Sequence, residues 1–285
     1  RMSVQIDPLG ARIVSVALTQ YKKKVGQEEP ISVLSDQPGQ QFITGFGFSG
    51  DQMRRFEKIA LTQDATSKDH TLIMASTKNG QRIEKTFIFS DKSYVINVQT
   101  KVVNNHSSPW KGSFYTQFFG QSETDLHAKT TSYWGQIKAM WHRFWGSKPT
   151  PKPQDYHPGH PAQGSNGVFG LRTYTGAAYH SQDKPYVKFP YDKMSKAPLN
   201  KEETGGWVAI QNHYFITAWV PNDQNKTLNL YSHWQDGYAT PTTFDQTFAL
   251  GYRGAPLTIA PGQTVTRSEK LYVGPEIANQ LKTVG

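Results

Sequence analysis

The sequence contains no cysteine, and this absence excludes several kinds of chemistry. Disulfide bonds, thiolate nucleophiles and cysteine-ligated metal sites all require the missing side chain. Long apolar runs are also missing, because no stretch approaches the roughly 20 apolar residues that a helix needs to cross a bilayer. Residues 1–20 lack the basic, apolar and small-residue zones of a secretion signal. We therefore expect the 285 residues to form a soluble unit with a core of its own.

Common enzyme motifs are missing too. The chain has no Gly-x-Ser-x-Gly nucleophile elbow, phosphate-binding loop or dinucleotide fingerprint. His157 and His160 flank a Pro-Gly turn, and the sequence places no third ligand beside them. We therefore predict that the chain is not an enzyme and has no catalytic residue, metal site or cofactor.

The net charge of +9 favours non-specific attraction to anionic surfaces. The basic residues are scattered, and neither a zinc-finger spacing nor the aromatic signature of an RNA-binding sheet is present. Nucleic acid is therefore excluded as a predicted partner, whereas an anionic lipid surface stays open.

Alternation of apolar and polar side chains is the main structural signal. Tyr94, Ile96 and Val98 share one face of a strand, and the segment Lys85–Phe89 precedes them across the polar turn 90–93, which predicts a hairpin. The same pattern recurs at residues 12–18, 71–76, 113–119, 206–211, 214–220, 227–233, 244–252 and 264–273. Many short strands without a βαβ rhythm predict an all-β sandwich or barrel, with residues 1–285 forming one domain.

Other segments give weaker signals. Phe46–Gly50 is typical of a turn, and Lys193–Thr204 is typical of a polar loop. Gly205 and Gly206 are expected to permit positive φ at a strand entry, and Trp207 and Trp219 are expected to fill the core.

Helix is predicted at two places. One is the aromatic stretch 132–145, and the other is the C-terminal end, where Pro275 can start a helix and Ile277 and Leu281 share a face.

Four segments, taken in order, resemble one family. They are Val4–Ile13 (VQIDPLGARI), Leu171–Tyr179 (LRTYTGAAY), Gly205–Pro221 (GGWVAIQNHYFITAWVP), and Ala260–Gln263 with Leu271–Ile277 (APGQ and LYVGPEI). The sequence resembles the large periplasmic domain of the bacterial membrane-protein insertase YidC. The resemblance covers nearly the whole chain and fails at residues 126–164, an aromatic and proline-rich insertion.

The resemblance implies a two-sheet β-supersandwich of the galactose mutarotase kind, in the periplasm of a Gram-negative bacterium. It also implies that the parent is an inner-membrane protein, with a transmembrane helix before Arg1 and several after Gly285. The implied function is non-catalytic support of the insertion and folding of inner-membrane proteins. The implied partners are the Sec-translocon subunit SecF, together with SecD and SecYEG, and client proteins.

The resemblance places the SecF contact at about residues 168–210. The residues assigned to it are Thr173, Tyr174, Gly176, Tyr179, Tyr186 and Phe189. An alternative stays open, in which these residues only pair within the sheet. The resemblance also implies that residues 274–285 form a helix leading toward the membrane, docked on the sandwich through Pro275, Ile277 and Leu281.

Two further interpretations compete with translocon docking. In the first, one face of the predicted helix binds a lipid surface or a client protein. The alternative is that this face only fills the core of the sandwich. The residues of the face are Trp134, Ile137, Trp141, Phe144 and Trp145. In the second, the chain is a sugar-binding or mutarotase-like module that uses Glu123, Asp125 and His127, which alternate along a strand.

Overall fold

Eighteen strands and one short helix make up the described part of the chain. The computed structural model describes residues 1–23, 26, 28–37, 41–50, 60–63, 70–125, 174–212, 214–239 and 243–277. The first nine strands are β1 (Met2–Asp7), β2 (Arg12–Lys22), β3 (Pro30–Leu34), β4 (Phe42–Ser49), β5 (Thr62–Gln63), β6 (Thr71–Lys78), β7 (Gln81–Ile88), β8 (Val95–Asn104) and β9 (Trp110–Asp125). After these come β10 (Thr175–Ser181), β11 (Lys184–Phe189), α1 (Tyr191–Lys196), β12 (Asn200–Thr204), β13 (Val208–Asn212), β14 (Phe215–Pro221), β15 (Thr227–Ala239), β16 (Thr243–Gly254), β17 (Leu257–Ile259) and β18 (Thr264–Pro275).

The strands form three antiparallel sheets. The largest has nine strands in the order β11-β10-β13-β14-β18-β8-β7-β6-β5. A six-stranded sheet, in the order β12-β15-β16-β9-β17, also pairs β9 with β4. A small sheet, β1-β2-β3, comes from the N-terminal segment. The all-β sandwich prediction is confirmed, whereas the prediction of one domain over residues 1–285 stays a prediction.

The core lies between the two large sheets. Trp219 of β14 is fully buried, and its ring packs against Phe46 of β4 at 5.6 Å and Phe118 of β9 at 6.2 Å between ring centroids. The indole Nε1 donates a hydrogen bond to the Gln117 carbonyl at 3.2 Å, so the polar end of this large ring also has a partner. This confirms the expectation that Trp219 fills the core, whereas Trp207 is only partly buried and packs against the core.

The predicted hairpin is present as β7 and β8. The two strands are antiparallel, and Tyr94, Ile96 and Val98 are buried while Asn97 and Gln99 are only half-buried. The alternation of apolar and polar residues thus predicted correctly which face of β8 is buried. The register is well defined here, since a one-residue shift would move every apolar side chain to the other side of the sheet.

Two segments differ from their prediction. Phe46–Gly50 was expected to be a turn, but Phe42–Ser49 forms β4 and pairs with β9. The phenylalanines of β4 supply the core face, while glycines occupy alternate positions on the other face, so the turn-like composition conceals a strand. Lys193–Thr204 was expected to be a loop, but it contains the end of α1 and all of β12, which pairs with β15.

Other predictions fall on residues that the structure does not describe. The insertion 126–164 lies outside the described residues, and so does the predicted helix 132–145. Among the described residues, no helix has the length and apolar character needed to cross a bilayer.

Candidate functional site

Strand β11 ends the nine-stranded sheet, and in the described part of the chain it pairs only with β10. We call β10, β11 and α1 together the edge surface. Most residues of β11 are exposed, and Tyr186 is 42% exposed. Because an edge strand presents unpaired backbone N–H and C=O groups, it can accept another strand.

A bulge interrupts the pairing of β11 with β10. Tyr179 lies opposite Val187 and Ser181 lies opposite Lys184, so two residues of β11, Pro185 and Tyr186, face a single residue of β10. A bulge of this kind bends the strand and redirects a side chain. Here the ring of Tyr186 lies 6.0 Å from that of Trp207, between ring centroids.

The sequence-predicted contact residues occupy different depths in the edge surface. Phe189 is only 3% exposed and Gly176 is buried, so a docked partner would contact neither the Phe189 ring nor Gly176. Tyr174 and Tyr179 are half-buried, and burial raises the pKa of the Tyr174 phenol well above its ordinary value. Tyr186 is therefore the exposed aromatic among the described residues of the predicted set. Thr173 lies outside the described residues.

Gly176 is required by the packing of Tyr174. Its φ is +149°, and a Cβ atom at this position would lie 2.7 Å from the Tyr174 hydroxyl. That hydroxyl donates to the Ala177 carbonyl and accepts a hydrogen bond from the Phe189 N–H at 3.1 Å. A glycine here thus lets one phenol connect β10 to β11.

Lysines give the edge surface an unbalanced positive charge. Lys184, Lys188 and Lys193 have no carboxylate within 4 Å among the described residues. Lys188 Nζ lies 4.9 Å from the ring centroid of Tyr174, and Lys193 Nζ lies 5.9 Å from that of Phe189. Aromatic faces partly stabilise these cations but leave their charge available to a partner.

Helix α1 connects the edge surface to the six-stranded sheet. The sequence did not predict it, because only two of its residues, Tyr191 and Met194, are buried and its remaining residues are polar. The Tyr191 ring packs 5.0 Å from Phe248 and 6.2 Å from Trp234, between ring centroids. Spacing of Tyr191 and Met194 by three residues is the signal that could have identified this short helix.

The end of β18 corrects the prediction for Pro275. Pro275 is the last residue of β18 and pairs with Phe215, so it does not start a helix. The Glu276 N–H donates to the Tyr214 carbonyl at 2.8 Å, which continues the pairing one residue further. Ile277 is 46% exposed, and because Leu281 lies outside the described residues, docking through these two residues stays a prediction.

A groove of about 750 Å³ lies on the six-stranded sheet. The residues that line it are Ser49, Gly50, Tyr115, Gln117, Pro198, Leu199, Asn200, Asn229, Tyr231, Ser232, His233 and Arg253. Among these described residues none carries a carboxylate, and Arg253 forms no ion pair. The groove therefore offers amide, hydroxyl and positively charged groups.

Glycines keep the middle of the groove open. Gln117 of β9 lies opposite Gly45 of β4 on one side and Gly251 of β16 on the other. Because directly opposite residues share a face in an antiparallel sheet, neither neighbour has a side chain beside the amide. The Gln117 Oε1 accepts a hydrogen bond from the Tyr231 hydroxyl at 3.1 Å, and its Nε2 group donates none within the described residues.

Several predicted residues cannot be placed. Strand β9 extends to Asp125, but the side chains of Glu123 and Asp125 are not described, and His127 lies beyond the described residues. The proposed lipid-contact set, Trp134 to Trp145, also lies outside them. Among the described residues, no group of three or more His, Asp or Glu side chains could hold a metal ion.

The sheet arrangement defines the fold class. A galactose mutarotase related enzyme from Lactobacillus acidophilus has a similar structure, with a TM-score of 0.51 and 9% identity over 95% of this chain and 94% of that chain. This likeness shows the fold alone: a galactose mutarotase-like β-sandwich.

Sequence similarity identifies the family. The model of the YidC periplasmic domain family matches residues 1–144 and 145–285, and the chain belongs to this family. The membrane protein insertase YidC of Coxiella burnetii (strain Dugway 5J108-111) is 27% identical over 99% of the chain, and that of Aeromonas hydrophila subsp. hydrophila is 28% identical over 99%. The chain spans 44% and 46% of the length of these two relatives. Family membership makes it a periplasmic domain of an inner-membrane protein.

Proposed function

We propose that this domain docks on the periplasmic part of SecF through the edge surface and so supports insertion and folding of inner-membrane proteins. The observation that carries the proposal is the exposed edge strand β11, with Tyr186 at its centre and with Lys184 and Lys188 lacking carboxylate partners among the residues that the structure describes. An edge strand supplies backbone hydrogen bonds to a partner, and an exposed aromatic supplies an anchor. Through SecF the domain would adjoin SecD and SecYEG.

Binding of the SecF periplasmic domain tests this proposal. Tyr186→Asp should weaken binding about tenfold, because loss of an anchor aromatic costs more than about 1 kcal/mol. Tyr214→Asp is the matched control, since Tyr214 is also exposed but lies outside the edge surface, and it should change the affinity less than about twofold. Equal affinity of wild type and Tyr186→Asp would refute docking at β11.

Hydrogen exchange should locate the same contact. On addition of SecF, amides of residues 175–189 should be protected, while those of the groove strand β15 should not change. Protection of β15 alone would place the partner in the groove and contradict the proposal.

A second proposal concerns the groove, which we infer holds extended segments of client proteins. Gln117 and Asn229 can pair with peptide amides, and Tyr115 and Tyr231 offer apolar ring surface. Arg253 and the lack of carboxylates in the described lining favour acidic segments. Sugar mutarotation stays the alternative function, and it would require an acid and a base on opposite sides of the sugar.

Gly45→Val tests the groove. A Cβ atom at Gly45 would lie 3.2 Å from the Gln117 side chain, so the added methyl groups fill the open floor at modest strain. Binding of a labelled, unstructured acidic peptide should weaken at least about fivefold, whereas a peptide with every Asp and Glu changed to Asn and Gln should bind weakly to both proteins. Unchanged binding of the acidic peptide to Gly45→Val would rule the groove out.

A further inference from the structure

A hydrogen-bonded chain runs from β11 to the residue that follows the last strand. The Tyr186 hydroxyl donates to Gln211 Oε1, and Gln211 Nε2 donates to Glu276 Oε1 at 3.0 Å. The Glu276 backbone N–H then donates to the Tyr214 carbonyl at 2.8 Å. One side-chain amide thus connects residues that are 25 and 65 positions away in sequence.

Gln211 is unusual for its position. It is 2% exposed in a strand whose other central residues, Val208, Ala209 and Ile210, are buried and apolar. A buried amide is costly unless both its ends are hydrogen-bonded, and here the two partners are the exposed residues Tyr186 and Glu276. A glutamine is therefore favourable at this buried position because its amide joins Tyr186 to Glu276.

The bulge in β11 makes one end of this connection sensitive to a partner. Tyr186 is one of the two β11 residues that face a single β10 residue. Regular pairing with an added strand competes with the irregular backbone of a bulge, because a bulge breaks the hydrogen-bonding pattern of the ladder. Straightening of the bulge would withdraw the Tyr186 hydroxyl from Gln211.

We propose that Tyr186, Gln211 and Glu276 are positioning residues, which set how firmly Glu276 is held beside β13 and β14 according to whether a partner occupies β11. The inference rests on the proposed docking of SecF at the edge surface. When β11 is free, the chain of hydrogen bonds holds Glu276 against β13 and β14. When β11 is occupied, Gln211 loses one partner, and its hold on Glu276 weakens.

The first experiment needs no partner. Amide hydrogen exchange of Glu276 is measured in the wild-type chain, in Tyr186→Phe and in Tyr231→Phe, which removes a Tyr–Gln hydrogen bond of the same kind on the other sheet. Tyr186→Phe should exchange about fivefold faster than wild type, the effect of one lost hydrogen bond, while Tyr231→Phe should match wild type. Equal rates in wild type and Tyr186→Phe would overturn the inference.

The second experiment adds the SecF periplasmic domain. Exchange at Glu276 should accelerate in the wild type but not further in Tyr186→Phe. If SecF does not bind, the docking proposal fails. If SecF binds and protects residues 175–189 but Glu276 exchange stays unchanged, docking stands and the positioning inference fails.

Discussion

Replacing Tyr252 with phenylalanine tests whether one buried hydrogen bond connects the two large sheets. Tyr252 belongs to β16 and Glu269 to β18, so their contact crosses the sandwich. The Tyr252 hydroxyl donates to Glu269 Oε2 at 2.6 Å, and Arg267 Nε donates to Glu269 Oε1 at 3.0 Å. Both Tyr252 and Glu269 are buried. Because the acceptor is a buried carboxylate, loss of the hydroxyl should lower the free energy of unfolding by about 2–3 kcal/mol at pH 8.

The effect should depend on pH. Burial raises the pKa of Glu269 in the folded chain, although its hydrogen bond with Tyr252 and the charge of Arg267 act in the opposite direction. Burial, together with the charge of Glu269, keeps the pKa of Tyr252 well above its ordinary value, so the phenol stays a donor. A carboxyl with a raised folded pKa destabilises the fold as pH rises from the unfolded pKa, near 4.5, through the folded pKa. Tyr252→Phe raises the folded pKa further.

Urea unfolding at two pH values measures this. The difference between wild type and Tyr252→Phe should shrink from about 2–3 kcal/mol at pH 8 toward about 1 kcal/mol at pH 4.5, because acidification protonates Glu269 and removes the charge of the acceptor. In a Glu269→Gln background, Tyr252→Phe should cost about 1 kcal/mol at both pH values, because no charge is involved. A difference below about 0.5 kcal/mol at pH 8, or one that grows on acidification, would refute the reasoning.

Three further predictions follow from other parts of the chain. Lys201→Met should lower the urea midpoint at neutral pH, because Glu203 is only 4% exposed and lies 2.5 Å from Lys201 Nζ. Burial raises the pKa of Glu203, but the hydrogen bond with Lys201 and other contacts outweigh it, so the pKa is lower than its ordinary value. The effect of Lys201→Met should therefore be small at about pH 3, where Glu203 loses its charge. Gly206→Ala should destabilise by about 2 kcal/mol in the same assay, since φ is +92° and a Cβ atom would lie 2.8 Å from a ring nitrogen of His180. The double variant Trp141→Ala/Trp145→Ala should lose at least about half of any salt-sensitive binding to anionic vesicles in a sedimentation assay if that stretch meets lipid, and unchanged binding would exclude it.

Local patterns predicted the parts of the fold where one face of a strand is buried. Alternation at Tyr94, Ile96 and Val98 identified β8, and its short polar turn identified the hairpin. Gly205 and Gly206 adopt φ of +68° and +92°, as their position before a strand suggested. Each of these features depends on residues that are close together in the sequence, so a local sequence pattern is enough to predict it.

Features that depend on distant segments were missed. Gly45 of β4 lies opposite Gln117, and only the pairing of β4 with β9 shows that a glycine here leaves the groove open. The hydrogen bonds of Gln211 join β11, β13 and the residue after β18, and a buried glutamine gives no signal in the sequence. Pro275 was assigned to a helix because proline is common in a first turn, but pairing with Phe215 decides its conformation.

The edge surface and the groove are formed by adjacent segments of the chain, but different contacts anchor them. Helix α1 leads from β11 directly to Pro198 and Leu199, which form part of the groove wall. The Leu199 N–H donates to Ser232 Oγ at 2.7 Å, and the Ser232 N–H donates to the Leu199 carbonyl at 3.0 Å. Two hydrogen bonds therefore fix this part of the groove wall to β15.

This separation has a measurable consequence. If docking at β11 acts through Tyr186 and Gln211 and not through α1, then SecF should leave the affinity of the groove for an acidic peptide unchanged within about twofold. Coupling between binding sites is reciprocal, so a larger change in peptide affinity would require an equal change in SecF affinity. That result would mean that α1 transmits docking to the groove despite its buried anchors Tyr191 and Met194. The two sites would then act as a single one, with client binding controlled by the translocon.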